Sequence, residues 1–244
     1  ATLGGGGHTI EILRRGGVVL GIDVDKEAIE HVEEKIKNWE RLKLARGNFR
    51  EIDRIAHLNN FDKVAGVIFD LGVSSHQIDS PTRGFSFQSQ GPLDMRMDQE
   101  LGVRALDLIK VLTKRELYEI FTKFGEESRA WAVSQAIVSA RSIKPIETTK
   151  DLAKIVFNIA GQSKRIFQAL RIIVNDELNS IMQALPKALG LLEKNGRLCV
   201  ISFHSLEDRI VKRKFIEFEE KDMGKIITEK PIVPSIEESK VNKR

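Results

Sequence analysis

The sequence predicts an α/β protein built on a mostly parallel sheet, interrupted by an inserted helical segment. Three observations carry this. Apolar runs ending on an acid alternate with helical patterns over the first 71 residues, residues 101–166 are helical in pattern throughout, and an apolar strand pattern returns near residue 197. Strands alternating with helices imply parallel pairing through right-handed crossovers.

The chain opens on ATLGGGGHT. Gly4 to Gly7 allow a tight turn and close approach of a ligand, because no Cβ intervenes. Residues 18–23 read as a buried strand through Val18, Val19, Leu20 and Ile22, with Asp23 at its carboxyl end. In an open α/β sheet, ligands bind at that end, and an acid there takes ribose hydroxyls. The glycine pattern reads G-x-G-x-x-Thr9, without the third glycine of the dinucleotide fingerprint. It therefore favours a nucleoside cofactor without a pyrophosphate over a nicotinamide dinucleotide.

Residues 26–39 follow as a helix with Ala28, Ile29, Val32 and Ile36 on one face. A short strand at 43–49 ends in GNF, and a strong one at 64–71, VAGVIFDL, carries Asp70 near its end. The stretch 72–100 has no regular pattern, and irregular segments of that length inside a domain are commonly functional. Helices are then expected from Thr113, whose capping box with Glu116 precedes a run stopping at Gly125, and over 126–142. A third begins at Thr148 and Asp151, with Leu152, Ile155, Val156 and Ile159 at helical spacing. One long helix is expected over 167–192, adjusted at Pro186, then a turn at Asn195-Gly196, a strand at 197–203 and a polar tail. Ser205 is expected to cap the last helix, with Asp208 three residues on.

The 244 residues are 41% hydrophobic and 30% charged, enough for a full core. The single cysteine, Cys199, excludes an intramolecular disulfide, and no apolar run reaches the length of a membrane span. A cytoplasmic protein without membrane attachment is the expectation. The net charge is +4, yet residues 101–170 hold 12 Lys/Arg against 7 Asp/Glu, so the positive excess lies in the helical segment. That placement fits a surface meeting phosphates as well as it fits solvated helix faces.

GGGGH, GIDVD, GNF, FDLGVSS followed by Gln77, RGFSF, GPLDMRMD, FQALRI with VNDEL, and VISFHSLEDRIVK occur in this order between residues 4 and 213. In these strings the chain resembles the bacterial ribosomal RNA small-subunit methyltransferase H, or MraW, family. Against that family's pattern the chain begins inside the glycine-loop motif, and residues 161–166 and the C-terminal tail are short. The resemblance implies a class I, Rossmann-like methyltransferase domain over 1–100 and 167–244, with a helical insertion over 101–166 that recognises RNA. It implies S-adenosylmethionine as methyl donor and the N4 amine of one cytidine in 16S ribosomal RNA as acceptor. On matching motifs, Gly6, Gly7, His8, Asp23, Phe49, Asp70 and Gln77 would contact the donor.

The chemistry fits these residue types. Transfer from a sulfonium needs alignment and a suitable field, and no metal. Sequence spacing gives no close His/Cys ligand set. A C5 acceptor would need a thiol nucleophile, and Cys199, mid-strand in RLCVISF, reads as a buried hydrophobe. Asp70, or the backbone and hydroxyls of Gly72 to Ser75, Ser74 among them, are the expected holders of the acceptor amine. An extruded base needs stacking partners. Phe85, Phe87 and Trp131 are expected in that role, or as ordinary core. Arg83, Arg96, Lys164, Arg165 and Arg171 are expected phosphate contacts or surface charges. His204 is a residue expected to line the acceptor pocket. Rival readings are a methyltransferase on another RNA site or another substrate, a nicotinamide-dependent dehydrogenase, and a non-catalytic RNA-binding or assembly protein.

Overall fold

The computed structural model describes residues 2–36, 40–235 and 237–238. Residues 37–39, the end of the first expected long helix, lie outside them. The described residues form an α/β structure with four strands, all in parallel pairs.

The glycine turn leads into α1 (Gly7–Arg14), then β1 (Val19–Asp23), α2 (Lys26–Lys35) and β2 (Leu42–Arg46). Asp25 caps α2, its side chain accepting from the Glu27 N–H. β1 pairs β2 from Val19↔Leu42 to Asp23↔Arg46. A single turn at Phe49–Glu51 leads into α3 (Ile52–Leu58), and β3 (Val64–Asp70) follows. β3 pairs β4 (Leu192–Ile201), placing Asp70 opposite Ile201. Asn195-Gly196, expected as a turn before a strand at 197, lies within β4 as an irregularity, where the register slips between Val64↔Leu192 and Gly66↔Arg197 and Asn195 takes a φ of 68°. Thr2 and Leu3 lie between the two ladders. Leu3 N–H donates to the Ile22 carbonyl at 2.9 Å, and Asp70 N–H donates to the Thr2 hydroxyl at 2.7 Å. The carboxyl ends of β1 and β3 thus face one region.

Residues 72–100 are largely irregular, holding only α4 (Ser75–Asp79) and a turn at Pro81–Arg83. Gly84 and Gly91 are required there by close approach. A Cβ on Gly84, at φ 72°, would lie 2.2 Å from the Pro92 carbonyl oxygen, and one on Gly91 would lie 1.7 Å from that of Pro81.

The helices α5 (Ala105–Val111), α6 (Lys114–Lys123), α7 (Ala130–Ile143) and α8 (Thr149–Ala160) follow. Both expected capping boxes form: Thr113 with Glu116, and Thr148 with Asp151. Their core includes Leu117, Phe121, Val133, Ile137, Leu152 and Val156, and extends to Phe85, Leu93, Met95 and Leu170 outside 101–166. A second core, with Val67, Phe69, Ile181 and Leu185, lies on one face of β3 and β4.

Three expectations are corrected. The helix expected over 167–192 is two, α9 (Lys164–Asn175) and α10 (Glu177–Leu191), divided at Asp176 with φ 49°. Asn175 is occupied across the fold: its amide donates to the Met95 carbonyl at 2.8 Å and accepts from Met97 N–H at 2.7 Å. Cys199 is exposed rather than buried, because its face of β4 is opposite to the one bearing Leu198 and Val200, which pack on the second core. The cap of α11 (Ser205–Glu220) is His204, not Ser205. His204 keeps the extended backbone a cap needs, while the Ser205 hydroxyl donates to Glu126 at 2.8 Å.

Candidate functional site

The glycine turn and the ends of β1 and β3 build the first half of the site. Gly6 takes a φ of 78°, and a Cβ there would lie 2.9 Å from Val32 Cγ2. Gly5 and Gly7 open onto free space. Asp23 is half-buried, and its oxygens accept from Gly4 N–H at 2.9 Å and Asp25 N–H at 3.0 Å. Burial pushes the Asp23 carboxyl above its ordinary range, against those two donors, which favour the carboxylate. His8 Nε2 lies 3.4 Å from Asp70 Oδ2, both partly exposed. Phe49 stands edge-on to Phe69 at 5.6 Å and remains half-buried. The structure therefore gathers Gly6, Gly7, His8, Asp23 and Asp70 around the strand ends.

Gln77 has a different setting. Its Oε1 accepts from Ser74 N–H at 2.9 Å, and Ser74 Oγ accepts from Gln77 N–H at 3.2 Å, closing a capping box on α4. Its Nε2 donates to Asp25 Oδ2 at 2.6 Å, and the residue is only 5% exposed.

Five of the expected RNA contacts face inward or are held by the fold. Arg83 is 3% exposed, paired with Asp25 at 2.8 Å and Glu27 at 2.7 Å, and donates to the Arg96 and Met97 carbonyls. Its guanidinium is spent inside the protein, so a surface phosphate has no access to it. Arg171 donates to both oxygens of buried Glu177, at 2.8 and 2.9 Å. Arg96 is held by Asp94 and by the carbonyls of Gln99 and Leu101. Phe87 packs edge-on to Phe167 at 5.7 Å, and Phe85 is in the helical core. Three face solvent. Lys164 and Arg165 are exposed at the start of α9, Arg165 donating to the Glu126 carbonyl at 3.1 Å. Trp131 is 54% exposed, with Lys114 Nζ 3.7 Å from its ring centre and Tyr118 edge-on at 5.4 Å.

His204 joins a buried cluster. Glu177, His204 and Glu207 bring carboxylate and imidazole atoms within 4.8 Å of one another. His204 Nδ1 accepts from Glu207 N–H at 3.4 Å, so the ring proton belongs on Nε2, which faces Glu207 Oε1 at 3.3 Å without hydrogen-bond alignment. Arg171 already engages Glu177. The cluster is a polar network around the Arg171–Glu177 ion pair. Burial opposes the Glu207 carboxylate, but His204, the Phe203 N–H and Arg171 outweigh it and hold its pKa below the ordinary range. Among the described residues, no helix is long and apolar enough to cross a membrane.

The MraW methylase family model matches residues 1–244. The chain is 42% identical to the ribosomal RNA small subunit methyltransferase H of Clostridium botulinum (strain Loch Maree / Type A3), over 100% of this chain and 87% of that protein. It is 45% identical to the protein of the same name from Persephonella marina, over 99% and 86%. With that of Carboxydothermus hydrogenoformans it shares 42% identity, over 100% and 86%. The chain belongs to the MraW methylase family.

Within this family member, sequence reasoning missed Asp25, Glu177 and Glu207, each buried and each at the centre of a polar cluster. Asp25 had a usable signal, two residues after the strand-end acid and directly before α2, where a cap was needed. Glu177 had none, because its partner Arg171 lies on the preceding helix, whereas Glu207 stands three residues after His204 at the start of α11, at capping distance.

Proposed function

We propose that this chain transfers a methyl group from S-adenosylmethionine to the N4 amine of a specific cytidine in 16S ribosomal RNA of the small subunit. Its setting would be a cytoplasmic, Rossmann-like class I domain over 1–100 and 167–244, with RNA recognition by the helical segment 101–166. The observation that carries the reading is the strand-end acid Asp23, braced by two backbone N–H groups beside an open glycine turn. That arrangement, in a chain whose relatives are named ribosomal RNA methyltransferases, fits a nucleoside donor. Continuity of Thr2 and Leu3 between the strand pairs supports a single Rossmann-like sheet.

The residues present fit the donor. Asp23 offers one further acceptor position on each oxygen for ribose hydroxyls. Phe49 offers a half-buried ring beside the adenine, and Gly6, Gly7 and His8 line the methionine side. Gln77 acts from behind, holding Ser74 in place. The donor supplies an activated methyl on a sulfonium with its own leaving group, so the protein contributes alignment and charge.

Asp70 and Ser74 are the proposed holders of the acceptor amine. The cytosine N4 lone pair is delocalised into the ring, and an acceptor at its N–H favours the pyramidal nitrogen that attacks. The proton released on methylation leaves through Asp70, whose partner His8 lies at 3.4 Å. Cys199 pairs with Ile68, two residues before Asp70 on the adjacent strand, which places the thiol back from the strand ends. Nitrogen is therefore the better acceptor. Lys164, Arg165 and Trp131 are the exposed groups proposed to meet RNA.

The test is methyl transfer from labelled S-adenosylmethionine to unmethylated small subunits, followed by nucleoside analysis. Label in N4-methylcytidine is the expected result. Label in another nucleoside overturns the acceptor, and donor binding without transfer points to a binding or assembly role.

A further inference from the structure

Asp25 is 2% exposed and lies outside the residues assigned to the donor or the acceptor. Its backbone N–H donates to Asp23 Oδ1 at 3.0 Å, and its Oδ1 caps α2 at the Glu27 N–H. Its Oδ2 accepts from Gln77 Nε2 at 2.6 Å and pairs with Arg83 Nη1 at 2.8 Å, while Arg83 Nη1 donates to Glu27 Oε2 at 2.7 Å. Gln77 in turn accepts from Ser74 N–H. Arg83 Nη2 donates to the Arg96 and Met97 carbonyls, at 3.1 and 2.9 Å, and Met97 N–H donates to Asn175 on α9. One carboxylate therefore stands between the ribose-side acid, the Ser74 loop and the segment that joins the helical core.

A buried ion pair is a weak source of stability, since apolar groups of similar volume are often as good. What it supplies is direction. Arg83 has a planar fork with fixed donor angles, aligned on Glu27 and on the Arg96 and Met97 carbonyls, and Asp25 pairs with its buried charge while accepting Gln77 on the same oxygen. We propose that Asp25 is a positioning residue, which sets the loop from Asp70 to Ser75 against the donor site through Gln77 and Arg83. It governs turnover rather than donor affinity. This rests on the methyl-transfer reading, because it assigns the acceptor to that loop. The backbone N–H of Asp25, which braces Asp23, survives side-chain substitution, so donor binding is the part that should persist.

The experiment compares the full chain with Asp25→Asn and with the double variant Asp25→Leu/Arg83→Met, in which neither buried charge of the pair is left alone. Three quantities are read: S-adenosylhomocysteine affinity by calorimetry, kcat on unmethylated small subunits at saturating donor, and hydrogen exchange across residues 71–83. Both variants are expected to bind within about threefold of the parent and to lose about 10–100-fold in kcat, the scale of a small misplacement of reacting groups. Exchange across 71–83 should quicken in both, with the double variant melting close to the parent. Recovery of kcat in the double variant overturns the proposal, as does a loss of affinity large enough to explain the whole effect. Unchanged exchange overturns it whatever the activity. A parent chain that binds donor but transfers no methyl overturns the functional reading instead, and the exchange measurement still decides whether Asp25 holds the loop.

Discussion

Substitution of Asp23 by Asn tests the donor site most directly. Each Asp23 oxygen already accepts one backbone N–H, Gly4 at 2.9 Å and Asp25 at 3.0 Å. Each retains one lone-pair direction for a ribose hydroxyl. Asn keeps the shape, but whichever way its amide turns, the NH2 group confronts one of those N–H groups and one ribose acceptor is gone. Loss of one hydrogen bond to a charged acceptor costs about 1.5–3 kcal/mol, or roughly 10–150-fold in Kd at about 1.4 kcal/mol per decade. The assay is calorimetric titration with S-adenosylhomocysteine, which carries the same ribose, alongside a thermal melt. A Kd within about twofold of the parent, with the fold intact, would remove Asp23 from the site.

The same carboxylate sets a pH dependence. Burial raises the Asp23 pKa in the free chain, and ribose hydroxyls stabilise the charged form, so donor affinity is complete above that pKa and falls as pH drops through it. The Asn variant should show no such fall when titrated between neutral and acidic pH. Gly91→Ala drives a Cβ to 1.7 Å from the Pro81 carbonyl oxygen and should cost about 1–3 kcal/mol or more by overpacking. Its melting temperature is the readout, with Gly102→Ala, which opens onto free space, as the unchanged control. Charge reversal at Lys164 and Arg165 should weaken 16S RNA binding and lower the salt slope by about one per lost phosphate contact. An unchanged slope excludes both from the RNA surface.

Local chemistry was legible in the sequence and long-range pairing was not. The capping boxes at Thr113 and Thr148 join groups three residues apart, so their form follows from spacing alone. Asp23 and Asp70 were visible as acids closing apolar runs, which is where a parallel sheet presents its ligand side. Arg83 shows the opposite case. Its charge suggested a phosphate, but its partner Glu27 lies 56 residues away, and Gln77 finds Asp25 across 52. No periodicity reports such pairs, so an inward arginine and an outward one read alike. The division at Asp176 was hidden for the same reason: Asn175 is held by Met95 and Met97, some 80 residues earlier. His204 replaced Ser205 as a cap because Glu126, from the loop between α6 and α7, drew the serine hydroxyl away.

The irregular stretch 72–100 is where these long-range pairs converge, and this bears on how a base would be presented. Its first half is tied to the carboxyl end of β1 through Gln77, Arg83 and Asp25. Its second half supplies Leu93 and Met95 to the core shared with α5 to α9. Gly84 and Gly91 press the two halves together at distances no other residue permits. The segment is thus a strap with both ends fixed by buried partners, and its stiffness comes from an ion pair, two glycine contacts and an asparagine. A strap of this kind holds an acceptor by preorganisation, since the cost of ordering its backbone is met on folding instead of at each turnover. On the proposed reading, the exposed basic groups on the helices need only deliver RNA to a loop that is already in place. Weakening them should therefore change affinity for RNA more than the methyl-transfer rate at saturation, whereas loosening the Asp25 end should do the reverse.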